Sequence, residues 1–299
     1  MKSVYLVLNP NAGTRQGRRF LTEIISAFNR ADYLCGVFIT EKRGDAVAFA
    51  SEHGGETDLI VACGGDGTLN EVVTGLLISG HTTPLGYIPC GSTNDFANGL
   101  GLPAGVIDNL DNIIQGAALP LDIGLFGEKR YFCYTASFGL FTSVSWSTPQ
   151  NVKNILGHAA YILEGIRSLS DVRPIHMKIT ADSQETEADY LFGAVCNSTS
   201  LGGVLKLEHS EVHMSDGLFE ALLIPFPPDL IVLNQILAAL RSHRYSDPCL
   251  TFIRASRFTF EGAPDLRWTL DGEEADGSER VVIRNLNNAV HLMTSALGE

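Results

Sequence analysis

Hydrophobic positions in the first 120 residues alternate between short β-branched runs and stretches with helical spacing. The strand-like runs are Val4–Leu8, Val37–Thr40, Leu59–Ala62 and Leu85–Ile88. Each is followed by a helical pattern, and the first three of these patterns are Arg18–Phe28, Ala46–His53 and Leu69–Leu77. This alternation predicts a parallel α/β sheet, in which ligands bind at the carboxyl ends of the strands.

After about Leu121 the pattern changes to longer alternating or apolar runs separated by polar turns. These strand-like runs are Arg130–Phe138, Ile175–Ala181, Tyr190–Cys196, Phe219–Ile224, Arg254–Glu261 and Arg280–Arg284. Two helical patterns, Lys153–Leu169 and Leu230–His243, interrupt them. Runs of this kind predict an antiparallel β domain.

The two hydrophobic patterns together predict a fold of the α/β plus all-β class. With 299 residues the chain exceeds the ~100–200 residues of a usual single domain. We predict an N-terminal α/β nucleotide-binding domain over residues 1–122, with a largely parallel sheet. A C-terminal β-sandwich domain follows over residues 123–287, and residues 288–299 are candidates to return to the first domain. The active site is expected in the cleft between the domains.

Charge and cysteine usage exclude several classes of protein. The chain has 21 Lys and Arg against 34 Asp and Glu, an acidic balance that argues against nucleic acid as a partner. Its six cysteines form no CxxC pair, so neither a disulfide framework nor a zinc knuckle is indicated. No signal-peptide pattern opens the chain, and Glu220 with three prolines interrupts the apolar segment Leu218–Leu240. We expect a cytoplasmic protein with transient, peripheral membrane contact.

The strongest local signal is the segment Ala62–Glu71, which follows an apolar strand and opens a helix. Its glycines let the backbone approach a ligand closely. Thr68 and Glu71 have capping-box spacing, which predicts that the helix starts at Thr68 and directs its positive end at the same place. Such a helix start suits phosphate.

Asp66 lies among these glycines, where its carboxylate can hold a Mg²⁺ ion for phosphate transfer. The alternative is a Gly-Asp-Gly turn with a structural aspartate, which would be the better interpretation of an isolated motif. The flanking strand and helix favour the functional interpretation here.

Two further loops lie between strand and helix patterns. Asn9–Gly13 alone is an ordinary connection, although its amides could bind nucleotide. Pro89–Phe96 carries hydroxyl groups that can cap a helix and contact phosphate, and its Asp95 adds a second carboxylate.

Taken together, these motifs resemble the diacylglycerol kinase catalytic-domain family, which includes sphingosine and ceramide kinases and soluble bacterial lipid kinases. The resemblance rests on GGDGT followed by Asn-Glu, an upstream NPxAG and a downstream PxGSTNDFA. It continues through Leu121–Gly124, Ser215–Gly217 and Leu270–Glu273. The six motifs occur in the family's order and are spread over nearly the whole chain.

The resemblance implies roles for individual residues. The residues it assigns to ATP are Asn9, Pro10, Asn11, Ala12, Gly13, Thr40, Gly64, Gly65, Asp66, Gly67, Thr68, Glu71 and Thr93. It implies that Asp66 acts near the transferred phosphate, that Glu273 is the base for the lipid hydroxyl, and that Asp95 and Asp122 support them. It also implies a structural Mg²⁺ held by Asp216 and the main-chain oxygens of His213 and Leu218.

Glu273 lies in a turn-like Asp-Gly-Glu between two strand patterns. Phosphoryl transfer needs a carboxylate placed to accept the hydroxyl proton. Without the other motifs, a solvated acid beside Glu274 and Asp276 would be the better interpretation. Asp122 lies between apolar residues, where an unpaired carboxylate is costly to bury. It is either part of the acidic network or a hydrogen-bonded aspartate at a strand end.

The predicted function is that of an ATP- and Mg²⁺-dependent lipid kinase acting on a lipid substrate at the membrane surface. NAD kinase shares GGDGT followed by Asn-Glu and is the nearest rival, whereas a phosphofructokinase-like kinase shares only the glycine-rich loop. The Asp-Gly-Glu motif and the other two loops favour a lipid kinase. A non-catalytic lipid-binding regulatory protein is a third candidate, opposed by the presence of Asp66 and Glu273. The acceptor lipid and a homodimer are left open.

Overall fold

The computed structural model describes residues 1–13, 15–140, 172–197, 200–201, 205–206 and 214–295. The chain forms two compact units. The first unit consists of Met1–Asp122 with Asn288–Glu299, and the second is Ile123–Asn287. The predicted helix over Lys153–Leu169 lies outside the described residues.

The first unit is built on a parallel sheet with the strand order β2-β1-β3-β4-β17. Its strands are β1 (Lys2–Leu8), β2 (Tyr33–Ile39), β3 (Leu59–Gly64), β4 (Leu85–Pro89) and the last part of β17 (Arg280–Thr294). All residues of β3 and β4 are buried, as expected for strands covered on both faces. The carboxyl ends of β1, β3 and β4 therefore meet at one edge of the sheet.

Helices connect these strands and cover the sheet. They are α1 (Gln16–Arg19), α2 (Leu21–Arg30), α3 (Asp45–His53), α4 (Asp66–Ser79), α5 (Asp95–Gly99) and α6 (Val106–Gln115), with a 3₁₀ turn at Gly54–Glu56. The apolar stripes of α2 and α6 pack with β1 and β3 in one core, to which Phe28 and Ile113 contribute fully buried side chains. Burial of these stripes stabilises helices that are too short to persist alone.

The C-terminal strand is fixed to the first unit by a buried polar side chain. Asn112 of α6 donates from Nδ2 to Oγ1 of Thr294 at 3.1 Å, and its Oδ1 accepts from the backbone N–H of Ser295 at 2.7 Å. Leu292 pairs in parallel with Leu85 of β4. Because the buried amide is hydrogen-bonded, it fixes β17 in the sheet without leaving an unsatisfied polar group.

The second unit is largely antiparallel. Its strands are β5 (Ala117–Phe126, which begins in the first unit), β6 (Arg130–Phe132), β7 (Thr135–Gly139), β8 (Ile175–Ala181), β9 (Gln184–Cys196), β10 (Ser200–Leu201), β11 (Leu205–Lys206), β12 (Phe219–Pro225), β13 (Thr251–Ala255), β14 (Arg257–Glu261), β15 (Arg267–Leu270), β16 (Glu273–Asp276) and the first part of β17. The main path is β16-β15-β7-β9-β8-β14-β17. The first half of β9 pairs with β8, and its second half lies between β7 and β12.

Two hydrophobic clusters form the core of the second unit. One is rich in aromatic rings, and the rings of Phe138 and Phe260 lie 4.9 and 5.0 Å from that of Trp268. The other packs β9 and β12 against helix α7 (Leu230–Arg241). Asp229 caps this helix, because its Oδ1 accepts from the amides of Ile231 and Val232 at 2.8 Å.

Among the residues that the structure describes, no helix combines the length and the apolar character needed to cross a bilayer. The apolar segment Leu218–Leu240 is divided between a strand, β12, and the helix α7.

Two predicted strands prove to be pairs of strands. Arg130–Phe138 is broken between β6 and β7, and Arg254–Glu261 is broken between β13 and β14. In both cases a distant carboxylate binds the backbone amides at the break: Asp271 binds Cys133 to Thr135, and Asp182 binds Ser256 and Arg257. The sequence pattern is continuous there because the interruption comes from residues far along the chain.

Glu220 is a buried carboxylate on β12, with 1% of its surface exposed. Its Oε1 accepts from Nε of Arg254 at 3.0 Å, while Oε2 has no hydrogen-bond partner among the described residues. Burial raises the pKa of Glu220 to about 7, although the adjacent Arg254 opposes this shift.

We expect Glu220 to make the stability of the protein fall as pH rises. Its pKa increases on folding from 4.5 to about 7, so the folded state binds the proton more tightly in that window. The free energy of unfolding should therefore decrease between these pH values, by ~3 kcal/mol at most. Urea unfolding in EDTA across the window measures this slope, and Glu220→Gln should flatten it. Parallel curves for the two proteins would contradict the assignment.

Candidate active site

Three loops with glycines meet at the carboxyl edge of the parallel sheet. They are the first glycine loop (Asn9–Gly13), the second (Gly64–Gly67) and the third (Cys90–Asn94). A Cβ atom on Gly13 would overlap the carbonyl oxygen of Cys90, and one on Gly91 would lie 2.7 Å from Cα of Gly65. The three backbones are thus in direct contact, which only glycine permits.

Asn9 joins the first glycine loop to the start of α4. Its Oδ1 accepts from the amide of Asn11 at 3.0 Å, and its Nδ2 donates to Oγ1 of Thr68 at 3.2 Å. The backbone N–H of Asn9 donates to the carbonyl of Cys63 at 2.9 Å. These bonds fix the shape of the loop and its position beside the second glycine loop.

Helix α4 begins two residues earlier than predicted. Its first residue is Asp66, and its N-cap is Gly65, which makes no side-chain capping bond. The predicted capping box of Thr68 and Glu71 is therefore wrong. Thr68 is buried and its hydroxyl accepts from Asn9, while the N-cap Gly65 has no side chain with which to cap the positive end.

Glu71 organises a neighbouring loop instead of capping α4. Its two carboxylate oxygens accept from the amides of Gly44 and Ala46, at 2.9 and 3.3 Å. Gly44 is the N-cap of α3, and the loop leads back to Thr40, which is buried at the end of β2 and donates from its backbone N–H to the carbonyl of Leu8 at 2.9 Å. Glu71 and Thr40 thus support the same sheet edge from the side of β2.

Asp66 is half-buried and held in place by donors from two other elements. Its Oδ2 accepts from the amide of Asp95 at 3.0 Å, and its Oδ1 accepts from the amide of Phe96 at 3.3 Å. The hydroxyl of Tyr87 donates to Oδ1 at 3.4 Å. The carboxylate therefore caps α5 from the first turn of α4, and it lies near two positive helix ends.

Two asparagines, Asn94 of the loop and Asn98 of α5, close the third glycine loop. Asn94 adopts a left-handed backbone with φ of 52°, accepts from the amide of Gly91 at 2.8 Å and donates to its carbonyl at 3.1 Å. Asn98 donates to the carbonyl of Thr93 at 2.8 Å. Ser92 stays exposed while Thr93 and Asp95 are half-buried, so the loop presents hydroxyl and carboxyl groups from a rigid backbone.

Two buried thiols lie beneath the loops. The Sγ atoms of Cys63 and Cys90 are 3.7 Å apart, and a Cβ on Gly17 would approach both. The pKa of Cys63 is raised well above its usual value, first by the hydrogen bond with Cys90 and then by burial. The thiol of Cys63 is thus neutral and packs as an apolar group.

Asp122 is fully buried inside β5 and not at the end of a strand. Its Oδ1 accepts from the backbone N–H of Asn288 at 2.7 Å. Asn288 has a φ of 52°, and it is the residue at which the chain re-enters the first unit. The bond supplies a partner that a buried carboxylate requires.

Glu273 and the nearby acid Asp271 lie in the second unit. Glu273 is exposed and is the first residue of β16, paired with Leu270 of β15. Asp271 is buried, and its carboxylate accepts from the amides of Cys133, Tyr134 and Thr135. The sequence marks Asp271 only as part of a motif, because its partners lie more than 130 residues earlier.

Of the proposed metal ligands, Asp216 and Leu218 are described, whereas His213 lies outside the described residues. Oδ1 of Asp216 accepts from the amide of Leu218 at 2.9 Å, and Oδ2 pairs with Nη2 of Arg254 at 2.6 Å. Within the described part of the chain, no group of three or more His, Cys, Asp or Glu side chains could hold a metal ion. The donors here are carboxylate and carbonyl oxygens, which suit Mg²⁺ in kind, and each oxygen of Asp216 has a second lone pair.

Replacing Gly13 by alanine is expected to disturb the loops more than a comparable change elsewhere. Gly13 and Gly80 both have positive φ, 49° and 72°, but only a Cβ on Gly13 meets other atoms. Gly80→Ala should cost ~1–2 kcal/mol of stability from backbone strain alone. Gly13→Ala should add ~1–3 kcal/mol from overpacking and weaken nucleotide binding. Calorimetric titration and thermal unfolding of both variants check this, and equal nucleotide affinities would contradict it.

The chain matches known proteins along most of its length. Residues 3–126 match the family model described as "Diacylglycerol kinase catalytic domain". Residues 136–294 match that of the "YegS C-terminal NAD kinase beta sandwich-like domain". A diacylglycerol kinase of Bacillus subtilis (strain 168) is 32% identical over 275 residues, which cover 91% of this chain and 90% of the relative.

A diacylglycerol kinase of Staphylococcus aureus (strain bovine RF122 / ET3-1) is also 32% identical, over 91% of this chain and 86% of its own. A crystal structure of a diacylglycerol kinase from Bacillus anthracis str. Sterne superposes with a TM-score of 0.76 at 21% identity. That superposition covers 98% of this chain and 97% of the other. These matches confirm the predicted fold class, an α/β domain with parallel strands and an antiparallel β-sandwich domain, and the resemblance drawn from the six motifs.

Proposed function

Because the chain belongs to the diacylglycerol kinase family, whose members are kinases that transfer phosphate to an alcohol group, we propose that it uses ATP and Mg²⁺ to phosphorylate a lipid hydroxyl. Diacylglycerol is the proposed acceptor, since the relatives from Bacillus subtilis and Staphylococcus aureus bear the name of that activity. The lipid would be taken from a membrane surface.

The contact among the three glycine loops is the observation that carries the proposal. Gly13, Gly65 and Gly91 allow three backbones to approach one another at one sheet edge. The N-terminus of α4 opens there without a side-chain cap. Backbone amides and a positive helix end are the groups that bind phosphate in proteins, so ATP is the fitting ligand.

Asp66 is proposed to act beside the transferred phosphate. Its carboxylate is fixed by the amides of Asp95 and Phe96 and by Tyr87, so it would not need to reorganise during the reaction. Asp95 and Asp122 would support it with further negative charge. Mg²⁺, when bound near the phosphates, would neutralise charge on their oxygens, and Asp66 would be one of its ligands. A second, structural Mg²⁺ would have Asp216, Leu218 and His213 as its ligands.

Glu273 is proposed to be the general base. Its exposed carboxylate would accept the proton of the acceptor hydroxyl while the hydroxyl oxygen bonds to the γ-phosphorus. The bond from the γ-phosphorus to the bridging oxygen breaks, and ADP leaves. The products are ADP and a phosphate monoester of the lipid, and the proton remains on Glu273 until it passes to water.

A panel of acceptors tests the proposal. Purified protein with Mg²⁺ and γ-labelled ATP is offered diacylglycerol, phosphatidylglycerol, a long-chain base or a polyprenol in mixed micelles, and NAD in solution. NAD is included because the second domain matches a sandwich described as NAD kinase-like. We expect label in diacylglycerol. Label in NAD alone would assign the rival activity, and ATP binding without transfer to any acceptor would favour a regulatory lipid-binding protein.

A further inference from the structure

The proposed base lies at the tip of a hairpin whose two strands are joined by a two-residue turn. Leu270 of β15 pairs with Glu273 of β16, which leaves Asp271 and Gly272 as the two turn residues. Their φ values are 49° and 84°, as in a type I′ turn. This turn matches the twist of the flanking strands, and Asp-Gly is among its favoured sequences. The turn therefore fixes the register of the two strands and places Glu273 directly after the tip.

The tip is also anchored to the β6–β7 connection. The carboxylate of Asp271 accepts from the amides of Tyr134 and Thr135 at 3.0 Å and from that of Cys133, and its own N–H donates to the carbonyl of Thr135 at 3.0 Å. Asp271 is 8% exposed. Bonds to a charged acceptor are about twice as strong as neutral ones, so the anchor restrains the hairpin firmly.

A second hairpin in the same unit has an anchor of the same design. Asp182 follows β8 in the two-residue turn between Ala181 and Gln184, and its φ is also 49°. Its carboxylate accepts from the amides of Ser256 and Arg257, at 3.1 and 3.0 Å, and from the hydroxyl of Ser256. Its own N–H donates to the carbonyl of Arg257 at 2.9 Å. The anchor is therefore a structural device of this unit, and only one copy of it adjoins a proposed catalytic residue.

From this geometry we propose that Asp271 is the positioning residue for Glu273. Asp271 does not touch the substrate; it fixes the hairpin tip so that the carboxylate two residues later is presented in one orientation. The inference rests on the proposed function, in which Glu273 takes the proton of the lipid hydroxyl. General-base catalysis depends on such placement, because a misplacement of about 1 Å can cost ~10²-fold in rate.

Asp271→Asn is the test, with Asp182→Asn as its matched control. In each variant the new amide group can keep bonds to one oxygen but turns a donor toward a backbone N–H. Both variants should therefore lose stability in thermal unfolding, and Asp182→Asn should lose less because Asp182 is exposed whereas Asp271 is buried. Only Asp271→Asn should lower kcat, by ~10²-fold, while KM for ATP stays near the wild-type value. Equal kcat in the two folded variants would overturn the proposal.

The dependence on Glu273 is tested in a double-mutant cycle. If Asp271 acts through Glu273, adding Asp271→Asn to Glu273→Gln should lower kcat no further, because residues that act as a unit are not additive. An additional ~10²-fold loss in the double variant would overturn the positioning role. Wild-type kcat in Glu273→Gln would instead refute the proposed base, and no transfer by the wild type would refute the proposed function.

Two glycine variants test the same proposal in case the asparagine variants do not fold. Gly-Gly also adopts the type I′ turn, so Asp271→Gly keeps the hairpin connection and the backbone bond to Thr135, and it deletes only the carboxylate bonds of the anchor. Asp182→Gly is its control. The same split, loss of kcat in the first and not in the second, is expected, and its absence counts against the proposal.

Discussion

Replacing Asp66 by alanine is expected to lower kcat by about 10³-fold, the scale on which loss of one preorganised electrostatic group acts. The carboxylate is held by amides of α5 and by the hydroxyl of Tyr87, so it is in place before the substrates bind. Its loss also removes the cap of α5, at a cost of ~1 kcal/mol of stability. Initial rates with saturating ATP and lipid, beside thermal unfolding, separate these effects.

Asp229→Ala is the matched control for this change. Asp229 caps α7 through two backbone amides, much as Asp66 caps α5, but the proposed chemistry does not use it. The control should lose ~1 kcal/mol of stability and keep its kcat. If both variants lost stability and neither lost activity, Asp66 would be a capping residue and nothing more.

Replacing Glu273 by glutamine is expected to lower kcat by ~10²–10⁴-fold, the usual contribution of a general base. The side chain is exposed at the start of β16, so the folded state should lose little stability. Binding of ATP should be unchanged, because the substitution removes a proton acceptor and not a proposed nucleotide contact. Rates of label transfer and calorimetric titration with ATP measure the two quantities.

Glu274→Gln controls for the local loss of charge. Glu274 is the next residue of the same strand and is half-exposed in an ion pair with Arg267, at 2.9 Å. The control should keep wild-type kcat to within about twofold, since an exposed ion pair contributes little. Similar losses in the two variants would mean that the local charge matters and that Glu273 is not the base.

Much of the architecture could be predicted from the sequence, because the spacing of hydrophobic residues along a helix or strand indicates which face of it is buried. The alternation of β1 to β4 with helices predicted the parallel sheet, and Ile175–Ala181 was predicted to the residue. Short strands gave a weaker signal: β15 and β16 have four residues each and were not delimited. The strand from Arg280 also runs on to Thr294, because its later residues join the parallel sheet.

The details of the site were less accessible, because distant partners decide them. Glu71 was expected to complete a capping box, but the amides of Gly44 and Ala46 bind it instead. Asp271 interrupts a predicted strand whose residues precede it by more than 130 positions. The glycines of Ala62–Glu71 were easier to interpret, since the residue type itself indicates a close approach to the backbone, and Gly65 lies against Gly91.

The fate of the γ-phosphate in a single turnover shows whether the protein transfers phosphate from ATP to a lipid. Enzyme in excess is mixed with γ-labelled ATP, Mg²⁺ and diacylglycerol in micelles, and the lipid phase is separated after each time point. We expect label to appear in a phosphorylated lipid as ATP disappears, and we expect Asp66→Ala and Glu273→Gln both to slow this transfer. Label that stays in ATP, or that is released only as inorganic phosphate while diacylglycerol remains unmodified, would contradict it.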